Sequence, residues 1–210
     1  MKGVQKIFCL QPKETKELGN AKISCYEYKE DLLYNLRMMR DGGSMFTMTP
    51  GNYIRLNVNG ELMMSDTRME KISNQEFINN ANGKVMIAGL GIGLIIHNLR
   101  DKIESGEITE IVVYEKYQDV IDLVSPFFKD LPITYKTEDI LKYKPPKDEI
   151  YDTIYFDIWA TISTDNLKEI RMLHNRWKFR KNKNNPNVWM NSWMKEFLQQ
   201  RKREEDKEWY

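Results

Sequence analysis

Short apolar runs alternate with amphipathic ones through the middle of the chain. Val85-Met-Ile-Ala88 is a continuous apolar run, bounded by Asn82-Gly83 before it and glycines after it, the pattern of a fully buried strand. Leu94, Ile95, Ile96 and Leu99 follow at roughly helical spacing and predict a helix over 92–103. Residues 111–114 repeat the strand pattern, and 117–128 the helical one. Residues 133–135 read as a short third strand, and 151–157 as a fourth, apolar at its heart. Strands alternating with helices predict an α/β fold, a Rossmann-like doubly wound, mostly parallel sheet.

The flanking regions are patterned differently. Residues 4–10 read as a strand, 13–20 as polar loop, and 26–40 as a helix with Leu32, Leu33, Leu36 and Met39 on one side. Residues 53–58 and 61–65, joined by Asn59-Gly60, form the clearest hairpin, because both central residues of a type I′ turn need positive φ. This N-terminal β-hairpin is expected as a lid or edge on the main sheet. Ser65-Asp66-Thr67 precedes a helix over 68–80 with Met69, Ile72, Phe77 and Ile78 inward. Asp66 reads most simply as its cap, with a substrate-binding role as the alternative. Downstream, Ser163-Thr-Asp165 caps a helix to about Arg180, with Leu167, Ile170, Leu173 and Trp177 buried. Residues 188–206 read as a final helix with Trp189 and Trp193 on one face, and Trp209 beyond it. The expected organisation is 1–82 as helix and hairpin, 83–162 as the nucleotide-binding core, and 163–210 as a helical C-terminal tail packed on it.

Composition narrows the partners. Net charge is +1 over 210 residues, so no global field steers the protein to nucleic acid or an acidic membrane. The tail from Ser163 to Tyr210 carries twelve Lys/Arg against seven Asp/Glu. Arg176, Lys178, Arg180, Lys181 and Lys183, with Trp177 and Phe179, leave nucleic-acid contact through 176–183 open, beside the plainer reading of a solvated helix end. Cys9 and Cys25 are too few for a disulfide scaffold or metal cluster, and with His97 and His174 as the only histidines no metal is expected. No apolar run approaches the ~20 residues of a membrane span, and the start lacks a signal-peptide core. A cytoplasmic protein without a membrane partner is expected; a homodimer is left open.

The candidate chemistry lies after the first core strand. Gly89, Gly91 and Gly93 alternate, and glycines let the turn be tight and a ligand approach the backbone. Leu94 and Ile95 stand where a dinucleotide fold wants its third glycine, which favours S-adenosylmethionine, a nucleoside with no phosphate to hold, over NAD. Glu115 ends the second strand roughly twenty residues later, where an acid meets ribose hydroxyls. Asp139 and Asp157 close the third and fourth strands. All four landmarks fall at the carboxyl ends of strands, where such sheets bind ligands.

From about Gly83 to Thr161 these residues resemble the class I S-adenosylmethionine-dependent methyltransferase superfamily, and within it the spermidine synthase branch. Tyr151-Asp-Thr-Ile-Tyr-Phe-Asp157 is similar to that branch's Tyr-Asp-x-Ile-x-x-Asp, and Glu138-Asp-Ile140 to its Gly-Asp-Ala. The resemblance implies S-adenosylmethionine, or decarboxylated S-adenosylmethionine, held by Gly89, Leu90, Gly91, Gly93, Glu115, Lys116, Asp139, Ile140 and Asp157. Glu115 would meet the ribose and Asp139 the adenine amino group. Asp157 would contact the methionine end or act as the catalytic base, with Trp159 as a wall of the acceptor site. Three positions depart from the branch: Ile92 replaces an acid in the glycine turn, Ala160 a second aspartate, and Met63 or Met64 a hairpin glutamine. The expected function is therefore a methyltransferase with an unidentified, small-molecule acceptor. Aminopropyl transfer and non-catalytic nucleoside binding are the alternatives, and a dehydrogenase is the runner-up for the fold.

Overall fold

Four antiparallel strands come first in the computed structural model, which describes residue 2, residues 4–8 and residues 10–207. Cys9 and Trp209 lie outside the described residues. The first turn is a helix, α1 (Gln5–Phe8), and not the strand expected over 4–10. The 13–20 segment, read as loop, holds strand β1 (Thr15–Leu18), which hairpins into β2 (Ala21–Tyr28). The 26–40 helix also starts later than expected. Ile23 and Cys25 alternate into the core and Tyr26 pairs with Tyr53, so the period of two carries through Tyr28. Asp31 then accepts the Tyr34 amide at 2.9 Å and caps α2 (Leu32–Gly42). The apolar residues of α2 face outward; Leu33 is 77% exposed.

Strands β3 (Gly51–Val58) and β4 (Glu61–Ser65) are the expected hairpin. Asn59 and Gly60 have φ of 53° and 82°, as a type I′ turn requires. The hairpin is not an edge of the main sheet. It completes a separate sheet of order β1-β2-β3-β4, bulged at Leu56/Asn57. The helix expected over 68–80 is broken into α3 (Arg68–Ser73) and α4 (Gln75–Asn80) at the fully buried Asn74.

The main sheet follows, with α5 (Leu94–Glu104) after β5 (Gly83–Ala88), and α6 (Gln118–Val124) after β6 (Ile108–Glu115). Strands β7 (Ile133–Thr137) and β8 (Thr153–Phe156) come next, then α7 (Asn166–Trp177). A fifth strand, β9 (Trp189–Ser192), pairs parallel to β8 where sequence periodicity predicts helix. Trp189 therefore lies on the sheet, 5.9 Å from the Tyr155 ring, and Trp193 donates to Ser73. Only α8 (Lys195–Lys207) of the expected last helix remains, entered through Met194 at φ 56°.

All five strands are parallel, in the order β7-β6-β5-β8-β9. Alternate residues serve opposite faces. Val85, Ile87, Ile111, Val113 and Tyr155 join a core with α4, α5, α6 and the N-terminal sheet. Met86, Ala88, Val112, Tyr114, Ile154 and Phe156 pack beneath Leu173 and Trp177 of α7. Both faces are covered, which is why these strands read as apolar runs. The chain winds outward from β5 in one direction, then returns to β8 on its other side, so the sheet's switch point lies between β5 and β8. No helix among the described residues is long and apolar enough to cross a membrane.

Candidate functional site

The glycine turn opens at that switch point. Gly89, Gly91 and Gly93 all hold positive φ, at 97°, 53° and 71°. A Cβ on Gly89 would lie 2.0 Å from the Asp157 carbonyl oxygen, and one on Gly91 would lie 2.1 Å from the Met64 sulfur. At Gly89 only glycine permits the turn to pass this close to backbone, whereas at Gly91 the crowding atom belongs to the flexible Met64 side chain. The turn is held by a backbone bond from Gly89 to the Tyr114 carbonyl at 2.8 Å. Its Leu90 amide donates to Glu115 at 2.9 Å, and its Ile92 amide to the Met64 sulfur at 3.3 Å.

A cavity of about 340 Å³ lies above the turn. Of the residues singled out from sequence, Gly89, Leu90, Gly91, Glu115, Lys116, Asp139, Ile140, Asp157 and Trp159 line it. Two stand apart. Gly93 faces Phe128 and Val124 and serves the packing of the turn on α6. Asp66 is neither cap nor cavity residue. It is fully buried, accepts the amides of Ile54 at 2.8 Å and Val4 at 3.3 Å, and ties the N-terminal segment to the hairpin. The helix it precedes has Thr67 at its N-cap, with no side-chain cap bond.

Glu115 is buried at the end of β6, with one oxygen on the Leu90 amide and the other on Tyr117 N at 2.9 Å. Burial pushes its carboxyl up, opposed by these amides. A carboxylate offers about four lone-pair positions, so with the Lys116 amide also on it acceptor capacity remains for one hydroxyl. Asp139 accepts Leu141 N at 3.1 Å and sits 3.6 Å from Lys142. The loop it begins is clamped from outside by Arg176, whose Nη1 donates to the carbonyls of Ile140, Leu141 and Tyr143 at 3.1, 2.9 and 2.9 Å. Trp159 is half-buried and fixed by its indole N–H on Glu169 at 2.7 Å.

Asp157 follows β8 directly. Burial pushes its carboxyl up to about 7, opposed by a hydrogen bond from the Asn74 side chain. Beside it is the residue that sequence reasoning missed. Glu70 is the buried residue of α3, lines the same cavity, and is raised by burial and by the Asp157 charge. Helical spacing gives it no signal, since Met69 and Ile72 were the inward positions; in the fold Ile72 is exposed instead. The hairpin, expected as a lid or edge, contributes a second wall through Asn59, Glu61, Met63 and Met64.

Within the basic 176–183 segment three residues serve structure, while Lys178, Phe179 and Lys183 stay exposed. Trp177 is fully buried between β8 and β6 and cannot stack on a base. Arg176 and Arg180 donate to loop carbonyls, the latter to Pro145 at 3.2 Å.

No protein-family model and no curated protein matches the sequence. Among solved structures, the chain is similar to a SAM-dependent methyltransferase from Leishmania major, at 15% identity and TM-score 0.45 over 59% of this chain and 48% of that one. Coclaurine N-methyltransferase, solved with N-methylheliamine and SAH, gives 14% identity and TM-score 0.42 over 60% and 35%. A protein described as a zinc-dependent alcohol dehydrogenase from Rhodobacter sphaeroides gives 17% and 0.36 over 53% and 41%. The matched part is less than two thirds of each of those chains.

Proposed function

We propose that the cavity binds S-adenosylmethionine and that the protein is a methyltransferase acting on a small-molecule acceptor. The observation that carries this reading is the meeting, at one switch point, of a glycine turn with Glu115, Asp139 and Asp157 around a single cavity. The residues present suit such a nucleoside. The turn approaches closely through its backbone, Glu115 has acceptor capacity for a ribose hydroxyl, and Asp139 can accept from the adenine amino group beside the apolar Leu90 and Ile140. When bound, the cofactor supplies an electrophilic carbon on a sulfonium. The chain's own task is then to orient the acceptor and take its proton. Asp157 is the candidate base, because a carboxyl held near 7 is part-ionised at neutral pH and can both accept and release a proton. Trp159, braced by Glu169, walls the acceptor side and excludes water.

A second reading, aminopropyl transfer from decarboxylated S-adenosylmethionine, is favoured by one observation. Ala160 leaves a gap where that chemistry wants a second acid, but Glu70 brings one to the cavity from another element.

Calorimetric titration with S-adenosylmethionine, S-adenosylhomocysteine and NADH tests the cofactor. The expected result is binding of the first two and not the third, weakened about tenfold, ~1.4 kcal/mol, in Asp139→Ala. Glu115→Ala is a poorer probe, because Glu115 also holds the turn. Absence of binding by either adenosyl compound overturns the reading.

A further inference from the structure

We infer that the outer side of α7 and the loop over 142–147 form one binding surface for single-stranded nucleic acid, with lysines on its phosphates and Phe179 against a base. No residue this surface uses lines the cavity, and the inference does not rest on the transferase reading.

The chain carries 32 Lys/Arg against 31 Asp/Glu, but the charges are not evenly spread. Between Glu169 and Glu196 stand seven Lys/Arg and no acid. α7 buries Ile170, Leu173 and Trp177, which leaves Lys168, Arg171 and, at its end, Lys178 exposed. The fold then brings a second basic segment, Lys142-Tyr-Lys-Pro-Pro-Lys147, to the first. Arg176 donates to the Tyr143 carbonyl at 2.9 Å and Arg180 to the Pro145 carbonyl at 3.2 Å, while the Tyr151 amide donates to the Arg180 carbonyl at 2.8 Å. These bonds stitch the loop to the end of α7, with Lys144 and Lys147 exposed beside Lys178 and Lys183. Lys142 pairs with Asp139 at 3.6 Å. Lys144, Lys147, Lys168, Arg171, Lys178 and Lys183 make no ion pair among the described residues. Of the neighbouring acids, Glu149 is held by Lys136 and Glu169 by the Trp159 indole. Glu138, Asp148 and Asp165 are exposed, at the edges of the two segments.

Helix-end electrostatics explain only part of this arrangement. The dipole favours cations in a last turn, which covers Arg176 and Lys178. Lys168 lies in the first turn, where a cation is disfavoured, and Lys144 and Lys147 lie on no helix. Phe179 is a second, independent feature. It is 63% exposed, with the Lys178 ammonium 5.1 Å over its ring. Unpaired lysines around an unburied ring supply the two things a single strand needs. Cations follow phosphates whatever the sequence, and a ring offers a face to an unstacked base. A duplex keeps its bases stacked and presents phosphates alone, and an acidic polypeptide presents charge with no base for the ring.

The test titrates the full chain into a fluorescein-labelled oligouridylate or oligothymidylate of about 20 nucleotides, read by anisotropy across a range of KCl concentrations. An unlabelled strand, a duplex of equal length and polyglutamate serve as competitors. At least one single strand is expected to bind, and to compete at least about tenfold better than duplex or polyglutamate. Its log–log salt slope should be about −3 to −4, as about five phosphate contacts on a single strand give. Lys144→Glu combined with Lys178→Glu should weaken binding about tenfold or more at the lowest salt and flatten the slope by at least about 1. Phe179→Ala should weaken it about fivefold or more at every salt concentration with the slope unchanged, which charge attraction alone does not produce. Phe179→Trp, which keeps a stacking ring, should bind at least as tightly as wild type. Absence of binding to both single strands at the lowest salt, competition by duplex or polyglutamate equal to that by the single strand, or full affinity in Phe179→Ala overturns the proposal.

Discussion

Gly89 and Gly91 look equivalent in the sequence and are not equivalent in the fold. A methyl group on Gly89 meets the backbone of the neighbouring strand at φ 97°, whereas one on Gly91 meets the movable end of Met64. We expect Gly89→Ala to cost about 3 kcal/mol or more and Gly91→Ala about 1–2 kcal/mol, since a flexible side chain can give way and a strand cannot. Urea unfolding midpoints at constant m check the order. Glu115 belongs to the same scale. Glutamine in its place has one acceptor oxygen where two amides need one each, so Glu115→Gln leaves Leu90 N or Tyr117 N unpaired. The expected loss is about 1–3 kcal/mol, with nucleoside affinity falling as the turn loosens.

At the scale of elements, the cavity is built by parts that the chain keeps far apart. Arg176 on α7 holds the 139–143 loop against the β6–β5 rim through three carbonyls. Arg176→Ala should leave β5 and β6 as protected as before, while amides of that loop exchange faster and S-adenosylhomocysteine binds less tightly. Hydrogen exchange by mass spectrometry separates the two; uniform deprotection of the sheet would mean that Arg176 supports the whole core. Much of this level was legible. The four core strands and the hairpin follow from apolar runs and from Asn59-Gly60, because a strand buried on both faces and a turn with two positive φ leave strong local marks. The last strand was not legible. Trp189, Trp193, Phe197 and Leu198 are spaced for a helix, but the 189–192 segment gains backbone bonds to β8 that a helix there would forgo. Tertiary pairing overrode local spacing.

For the whole molecule, the buried acids set a pH dependence. An acid whose folded pKa is raised binds its proton more tightly when folded, so its contribution to stability is complete below about 4 and is lost as pH climbs through the raised value. For Asp157 that window runs from about 4 up to about 7. Asp152 and Glu149, whose carboxyls are lowered by hydrogen bonds and by Lys136, act in the opposite sense, so the comparison must be with a variant. Asp157→Asn should melt above wild type at pH 8, by about 1 kcal/mol or ~2–4 °C, and the difference should vanish near pH 4. Because Asp157 and Glu70 titrate as a pair, Glu70→Gln should show the same sign. A melting difference independent of pH in both variants would remove the Glu70–Asp157 pair from the account.

Local pattern alone settled the strand–glycine turn–helix opening, the alternation that makes a parallel sheet, and the placing of Glu115, Asp139 and Asp157 at strand ends. Each depends on contacts between near neighbours or on the direction in which a strand runs. The orientation of α3, which turns Glu70 inward and Ile72 outward, could be decided only in the folded molecule. So could the separate N-terminal sheet and the seating of Met64 on the glycine turn. These follow from docking elements against one another, and an acid at a helical position carries no local mark of the cavity it will face.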